Sequence, residues 1–575
     1  MSTAIVPIDS IKGQPLTSEQ TDYLSGFFAG IAARGLRFGD VSPAPQGSPA
    51  APLDDLIFEE RVKREMHPLD AYPQLLEAAG ANRSPDKEEA FRFKWNGLFF
   101  LTPTKDAFMA RLRIPGGLVK TFQLREIARV AQELTTGYVQ ITTRANFQIR
   151  LIQPKDTPEV LRRIQAVGLH TRGAGADNIR NITANPTAGV DPAEIYDVMP
   201  LCQELAQIIL NDRSFYDLPR KFNIAYDGGG LIGTVEDTND IGARAVKVGD
   251  AIYFRIALGG ATGHKAFARD LGVLVPPEEL NRVVCAMVRV FIANGNRTDR
   301  KRARLKHLLD TWTLDQYLEQ TEKLLGYSLK KATLQDAPLQ HAGAELPHSH
   351  IGAYPQRQPG FNYVGVALPV GQITPKQMQR LADLADNYGS GEVRLTVWQN
   401  LIIPNVPDAF VETLKKALTK MGLDWRQSNL RSGVIACTGN AYCKYAQSDT
   451  KAHALALTAV LEKKLKLDLP INIHLTGCPH SCAQHYMGDI GLLGTKVKIS
   501  GESLEGYHVF VGGGFGAKQA VGRQIFTGVP ASELASAVEK MLRGYLRHRE
   551  NGETFQQFTL RHEVGALQAI FSNEE

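Results

Sequence analysis

The chain repeats itself at an offset of 254 residues, and this period limits its possible folds more than any other feature. Pro115-Gly116-Gly117 falls on Pro369-Val370-Gly371, Ala128 and Ala131 on Ala382 and Ala385, Gly137 on Gly391, Val139 on Val393, Thr142 on Thr396 and Asn146 on Asn400. Farther on, Tyr253 falls on Tyr507, Gly259-Gly260 on Gly513-Gly514, Val275-Pro276 on Val529-Pro530 and Glu279-Leu280 on Glu533-Leu534. One offset held over about 165 positions implies a duplicated module. Solenoid repeats run only about 20–50 residues, so stacking of small units is excluded.

Each copy opens with a short apolar strand that ends in a Pro/Gly turn. A helix follows, with apolar residues at helical spacing: Leu124, Ile127, Ala128 and Ala131, then Met378, Leu381, Ala382 and Ala385. Gly137 and Gly391 stand where a helix C-cap is expected. The runs Tyr138–Phe147 and Glu392–Leu401 alternate and carry β-branched residues, which predicts a strand in each. Strand, helix and strand, twice over, predict an α+β architecture. Ahead of the repeat, residues 41–55 are rich in Pro, Ser and Ala and read as an extended linker. The segment Thr17 to Gly35 carries an N-cap candidate and an amphipathic pattern.

Four of the six cysteines lie in two tight loops, Cys437-Thr-Gly-Asn-Ala-Tyr-Cys443 and Cys478-Pro-His-Ser-Cys482. Four thiolates from two loops can converge on a soft centre, either zinc or an iron–sulfur cube. Zinc knuckles usually leave two to four residues between ligands, and the first loop leaves five. Buried, unligated thiols are the third reading.

The run Thr476-Gly-Cys478-x3-Cys482-x6-Asp489-Ile490-Gly491-Leu492 resembles the signature of the sirohaem-containing nitrite and sulfite reductases. Further motifs of that family stand in order: Arg111-x-Arg113-x-Pro-Gly-Gly, Thr142-Thr-Arg144-x-Asn-Phe-Gln148, Leu218-Pro-Arg220-Lys221-Phe222 and Asn296-Arg-Thr-Asp-Arg300. The resemblance covers roughly residues 91–575. It implies a [4Fe–4S] cluster held by Cys437, Cys443, Cys478 and Cys482, with Cys482 also bound to the sirohaem iron. It implies two ferredoxin-like half-units, 91–155 and 346–430, paired in one domain. Two larger α/β lobes, 156–345 and 431–575, would surround the cofactor behind an N-terminal arm, 1–90.

The two copies differ where this matters. Arg111 becomes Gly365, Arg113 becomes Ala367 and Arg144 becomes Trp398. A buried arginine is costly unless an anion pairs with it, so copy one is expected to face something anionic. Sirohaem, with eight carboxylates, and a small oxyanion substrate would meet that demand. By the resemblance, Arg111, Arg180, Lys221 and Asn223 act on substrate, while Arg113, Arg144, Gln148, Arg220 and Arg304 hold cofactor carboxylates. Sulfite-reducing members read Arg-Lys-Phe-Lys where this chain has Arg220-Lys221-Phe222-Asn223. Sulfite becomes largely a dianion between about pH 7 and 8 and nitrite is a monoanion, so an amide in place of an ammonium favours nitrite. The opening Phe91-Arg-Phe-Lys94-Trp95-Asn-Gly97-Leu98-Phe99 also resembles ferredoxin-dependent nitrite reductases. Some sulfite-reducing relatives carry a cysteine after the second distal arginine, and Arg180-Asn-Ile-Thr has none. The expected reaction is the assimilatory six-electron reduction of nitrite to ammonia. Sulfite reduction is the alternative; a cobalamin-pathway monooxygenase relative and a zinc-bearing binding protein are more remote readings.

Composition narrows the partners. The net charge of +5 is mild, and the basic run Arg297–Lys306 lacks the interleaved aromatics of a nucleic-acid patch. It reads either as a solvated helix face or as an anion-binding interior. No stretch reaches 18 consecutive apolar residues, and the N-terminus has neither a signal-peptide nor a transit-peptide pattern. Cys202 and Cys285 sit in apolar helical stretches as core residues, a cytoplasmic usage. Val511-Gly-Gly-Gly-Phe-Gly516 lacks the ordered glycines of a dinucleotide site. Electrons must then come from a separate carrier, by resemblance a ferredoxin or flavodoxin, with an acidic partner drawn to this basic chain. The enzyme is expected to be a monomer.

Overall fold

The computed structural model describes residues 10–11, 14–15 and 53–572, apart from 101, 102, 104, 105, 136 and 341–349. The helix expected over 17–35 and residues 41–52 of the linker expected over 41–55 lie outside the described residues; the last three, Leu53–Asp55, form a short 3-10 turn and not extended chain. Within the unit 1–51, β1 (Ser10–Ile11) pairs antiparallel with β2 (Gln14–Pro15). All further elements belong to the unit 52–575.

The duplication is visible strand by strand. Copy one runs through β3 (Leu98–Phe100), β4 (Phe108–Arg111), the Pro115–Gly117 turn, β5 (Leu118–Lys120), α1 (Thr121–Leu134), β6 (Val139–Ile141) and β7 (Phe147–Ile152). Copy two runs through β13 (Gly352–Pro355), β14 (Phe361–Val366), the Pro369–Gly371 turn, β15 (Gln372–Ile373), α2 (Pro375–Tyr388), β16 (Glu392–Leu395) and β17 (Leu401–Pro407). The predicted helical faces are the buried ones, each residue at most 1% exposed, and they share one core. Thr374 caps α2, its hydroxyl accepting from the Gln377 amide while the Gln377 side chain reaches back.

Two local expectations are corrected. The β-run of each copy is a hairpin and not one strand. Ala145 and Gln399 turn left-handed at φ 49° and 61°, and the Thr142 and Thr396 amides close onto the carbonyls of Asn146 and Asn400. The helices also end earlier than the glycines implied, with caps at Thr135 and Gly389. Gly137 and Gly391, both at positive φ, instead turn the chain into the next strand.

The half-units exchange strands. β5 leaves copy one to pair with β16, Val119 opposite Val393, and β15 pairs with β6, Ile373 opposite Val139. The resulting sheets read β13-β14-β17-β16-β5 and β15-β6-β7-β4-β3. Each crossing passes backbone against backbone at a glycine. A Cβ on Gly117 would meet the Leu395 carbonyl at 2.5 Å, and one on Gly371 would meet the Ile141 carbonyl at 2.6 Å.

Two lobes follow. In the first, β8 (Ile224–Asp227) lies parallel to β9 (Ile241–Val248), followed by antiparallel β10 (Ala251–Leu258), β11 (Arg269–Val275) and β12 (Lys330–Lys331). In the second, β18 (Val434–Ala436), β19 (Ile473–Thr476) and β20 (Ile490–Ile499) are parallel, followed by antiparallel β21 (Glu502–Val511) and β22 (Arg523–Pro530). The equivalent pair β8/β9 and β19/β20 is related by an offset of 249, since Ile224 opposes Ile241 as Ile473 opposes Ile490. The constant offset of 254 is therefore corrected: it drifts by five residues and recovers through the longer β20–β21 hairpin. No helix among the described residues is long and apolar enough to cross a membrane.

The crossing glycines generate a test. Gly117→Ala forces a left-handed alanine, costing about 1–2 kcal/mol, and adds a clash with strand backbone that cannot yield. Gly422 has a similar φ of 73° with nothing near its Cβ position. The unfolding midpoint of Gly117→Ala should fall well below that of Gly422→Ala; equal midpoints would mean that the close crossing is not a constraint.

Candidate functional site

The cationic residues of copy one are aimed by the strands and turns just described. Arg111 ends β4 with its guanidinium over the Phe99 ring at 4.6 Å and Nη1 donating to the Ala174 carbonyl at 3.3 Å. Arg180 donates from Nη1 to the same carbonyl at 2.7 Å and from Nη2 to Ala176 at 2.9 Å. The Nε of each is buried without a hydrogen-bond partner. Burial pushes Arg111 down to about 10 and Arg180 well below the ordinary arginine range. Arg144, at the hairpin tip, is fully engaged with Asn181, Ile224 and the Asn239 side chain, yet among the described residues no carboxylate is in ion-pair contact with it.

The turn entering β8 adds Arg220, Lys221 and Asn223. Lys221 has no hydrogen-bond partner among the described residues, and burial, then Arg304, push its ammonium down to about 7 while the Cys482 sulfur pulls it up. Asn223 is held by its backbone, its amide donating to Asp240 Oδ2 at 2.8 Å. Asp240 is fully buried and also takes both arms of Arg304, at 3.2 and 2.7 Å. One carboxylate thus positions two candidate residues 81 apart in sequence. Arg220 stands 3.7 Å from Asp177, which Arg300 grips at 2.6 and 2.9 Å.

The cysteine loops close the other side. The Cys437 sulfur accepts from the Gly477 amide at 3.2 Å, joining the two loops, and Cys478 senses the charges of Cys437, Cys443 and Cys482. Burial raises the Cys437 thiol and pushes Cys478 up to about 12, so both are protonated thiols until a soft cation displaces the protons. Thr143, at the copy-one hairpin tip, donates to the Cys482 carbonyl at 3.0 Å. Gln399, at the copy-two tip, exchanges bonds of 3.0 and 3.1 Å with Ala436 just before Cys437. Among the described residues no three of His, Cys, Asp and Glu converge as ligands of one ion. Zinc would need four sulfurs about 2.3 Å from one point, whereas a cube spreads its ligands over four corners.

These walls enclose a cavity of about 660 Å³, within the range of pockets that take a drug-sized or cofactor-sized ligand. Arg111, Arg144, Gln148, Arg180, Arg220, Lys221, Asn223, Arg304, Cys437 and Cys482 all line it. Cys443 and Cys478 are not among the lining residues. Arg113 is not among the lining residues; its Nε and Nη2 donate to the carbonyls of Arg172 and Ile179. The surplus of cations with unused donors fits a polyanionic ligand, and the thiols beside them fit a soft metal centre.

Sequence reasoning missed several wall residues. Of the two readings of the run Arg297–Lys306, each holds in part: Arg300, Lys301 and Arg304 line the cavity, while Thr298, Asp299 and Arg302 are exposed. Asp240 was legible in principle: Asp240-Ile-Gly repeats as Asp489-Ile-Gly, but at the drifted offset. Arg150 is 3% exposed, bonded to Gln140 and Thr438 at 2.8 Å and set over the Tyr442 ring, so it pins the first cysteine loop to β7. Lys451 and His264 also face the cavity and carried no sequence signal.

Comparison with known proteins agrees with this geometry. Residues 175–329 and 427–564 match the nitrite and sulphite reductase 4Fe-4S domain, and residues 102–167 and 354–421 match the nitrite/sulfite reductase ferredoxin-like half domain. A protein of Synechococcus elongatus named ferredoxin–nitrite reductase is 36% identical over 84% of this chain and 95% of its own length. The assimilatory ferredoxin-dependent nitrite reductase of Haloferax mediterranei is 33% identical over 81% of this chain and 84% of its own length. The solved structure of the Mycobacterium tuberculosis NirA protein superimposes with a TM-score of 0.83 at 29% identity, covering 89% of this chain and 97% of that one. A duplicated α+β scaffold, two cysteine loops and a cation-lined cavity thus coincide with domain matches in both copies, and the chain belongs to the nitrite and sulphite reductase family.

Proposed function

We propose that this chain carries out the assimilatory six-electron reduction of nitrite to ammonia, with sirohaem and a [4Fe–4S] cluster as cofactors and reduced ferredoxin as donor. The observation that carries the reading is one cavity in which cations with unused donors, Arg111, Arg180 and Lys221, share a wall with Cys437 and Cys482. Cys437, Cys443, Cys478 and Cys482 would hold the cluster, and Cys482 would be shared with the sirohaem. Arg144, Gln148, Arg220 and Arg304 would face the cofactor carboxylates, and Arg113 would serve from behind by fixing the backbone at Arg172 and Ile179. When bound, these groups supply a point of attachment for substrate nitrogen and a path for single electrons.

The protein's own part is electrostatic. Arg111 and Arg180 enter the cavity already desolvated, with guanidiniums fixed by backbone carbonyls, so their unused N–H groups can meet an anion without reorganising. Lys221, held near 7, is matched to donate a proton to a substrate oxygen around neutral pH as an N–O bond breaks, and to be refilled from water. Asn223 offers a neutral donor beside it, with its backbone clamped by Asp240. Segments 91–155 and 346–430 act as the scaffold, and 156–345 and 431–575 as the two walls. The enzyme acts as a cytoplasmic monomer without membrane attachment.

Substrate choice rests on residue 223. An added ammonium about 4 Å from substrate, at an effective dielectric near 20, is worth up to about 4 kcal/mol before desolvation. Asn223→Lys should therefore raise the sulfite-to-nitrite ratio of kcat/KM about ten- to a hundred-fold. The check is an ammonia- and sulfide-forming assay with reduced methyl viologen at matched sirohaem occupancy. An unchanged ratio would remove residue 223 from substrate selection, and sulfite outpacing nitrite in the unaltered enzyme would overturn the reading.

The donor makes a separate prediction. Charges on an acidic ferredoxin and a basic face are screened over about 10 Å at 0.1 M salt. Ferredoxin-supported activity should fall as ionic strength rises from 0.02 to about 0.3 M, while methyl viologen activity stays nearly flat. Parallel loss with both donors would count against electrostatic docking.

A further inference from the structure

Lys451 is a buried cation that the reaction as drawn does not use. It is 6% exposed and sits in the first turn of the helix Thr450–Lys464. Its Nζ donates to the Val370 carbonyl and, at 3.4 Å, to the Ala436 carbonyl, one residue before Cys437. Among the described residues no carboxylate forms an ion pair with it. Its neighbour Thr450 donates to the Cys437 carbonyl at 2.9 Å, and Lys451 shares the cavity wall with Cys437. An ammonium so placed is costly unless an anion compensates it.

The duplication shows that no packing rule requires a lysine here. In copy one the helix Met199–Asn211 begins against the Pro115–Gly117 turn, as Thr450–Lys464 begins against Pro369–Gly371. There the contact is apolar, the Met199 sulfur lying over Gly116. Copy two replaces that contact with an ammonium and tolerates Val370 at φ 45°, a left-handed β-branched residue whose carbonyl the lysine holds. The cation appears in the copy that carries the cysteines, beside the first of them.

We infer that the Lys451 ammonium is the electrostatic partner of the iron–sulfur centre, compensating its negative charge at the Cys437 corner and thereby raising its reduction potential. Reduction adds negative charge to the centre, so a fixed cation beside it favours the reduced form. Its removal should make the centre harder to reduce. This rests on the cofactor reading above, and the two can fail separately.

The experiment is an EPR-monitored potentiometric titration of purified holoenzyme, with iron and sirohaem quantified first. Unaltered enzyme that holds no cluster would defeat the cofactor reading itself. Lys451→Arg keeps the charge, Lys451→Gln keeps a donor without charge, and Lys451→Met removes both. The inference expects the Gln and Met variants to shift the cluster midpoint to more negative potential, with the Arg variant near the unaltered value. Loss of cluster from the Gln and Met variants alone would support it equally. Equal shifts, or equal cluster loss, in Arg and Gln variants would overturn it, as would unchanged midpoints in all three.

Discussion

Exchange of β5 and β15 between the half-units is the constraint on which the remainder of the structure depends. Each strand completes the partner's sheet, with Val119 opposite Val393 and Ile373 opposite Val139, so neither copy closes its own sheet. The exchange fixes where the hairpin tips point. Thr143 then reaches the Cys482 loop and Gln399 grips the backbone beside Cys437. With the tips so placed, the arginines of one copy and the cysteines of the other line one cavity.

That wall sorts its cations by what satisfies them. Arg304 and Arg300 have carboxylates of their own, Asp240 and Asp177, and act as rigid parts. Arg144 is satisfied by carbonyls and an amide, which return hydrogen bonds but no charge. Arg111, Arg180 and Lys221 retain unused donors in a desolvated place. A buried charge is stable only when compensated, so this last group defines where the anionic cofactor and substrate must bind. The geometry of Asp240 shows how the two classes are linked: one buried carboxylate fixes Arg304 and the backbone of Asn223 together.

Duplication also separates roles by simple replacement. Copy two has Gly365, Ala367 and Trp398 where copy one has Arg111, Arg113 and Arg144. It has the Thr450–Lys464 helix, with a buried ammonium, where copy one has an apolar contact at Met199. Pairs of equivalent positions therefore act as internal controls. A polar residue retained in only one copy marks chemistry, because packing demands are shared by both.

The sequence by itself determined the duplication, the two strand–helix–strand units, the cysteine loops and the cationic motifs, since periodicity and short-range motifs are local. Ten of its thirteen candidate side chains line the cavity, because the motifs of copy one and the cysteine loops of copy two lie on turns that meet where the fold closes. Only tertiary structure decided that β5 and β15 change partners, as both choices of pairing satisfy the same alternation. It alone showed that Arg113 gives two of its donors to the carbonyls of residues 172 and 179. It alone paired Asp240 with Arg304 and Arg300 with Asp177, and it alone brought in Lys451, since these neighbours are distant in sequence. A charge is read from the chain, but whether it is compensated depends on contacts made across the fold, and that is a property no local pattern carries.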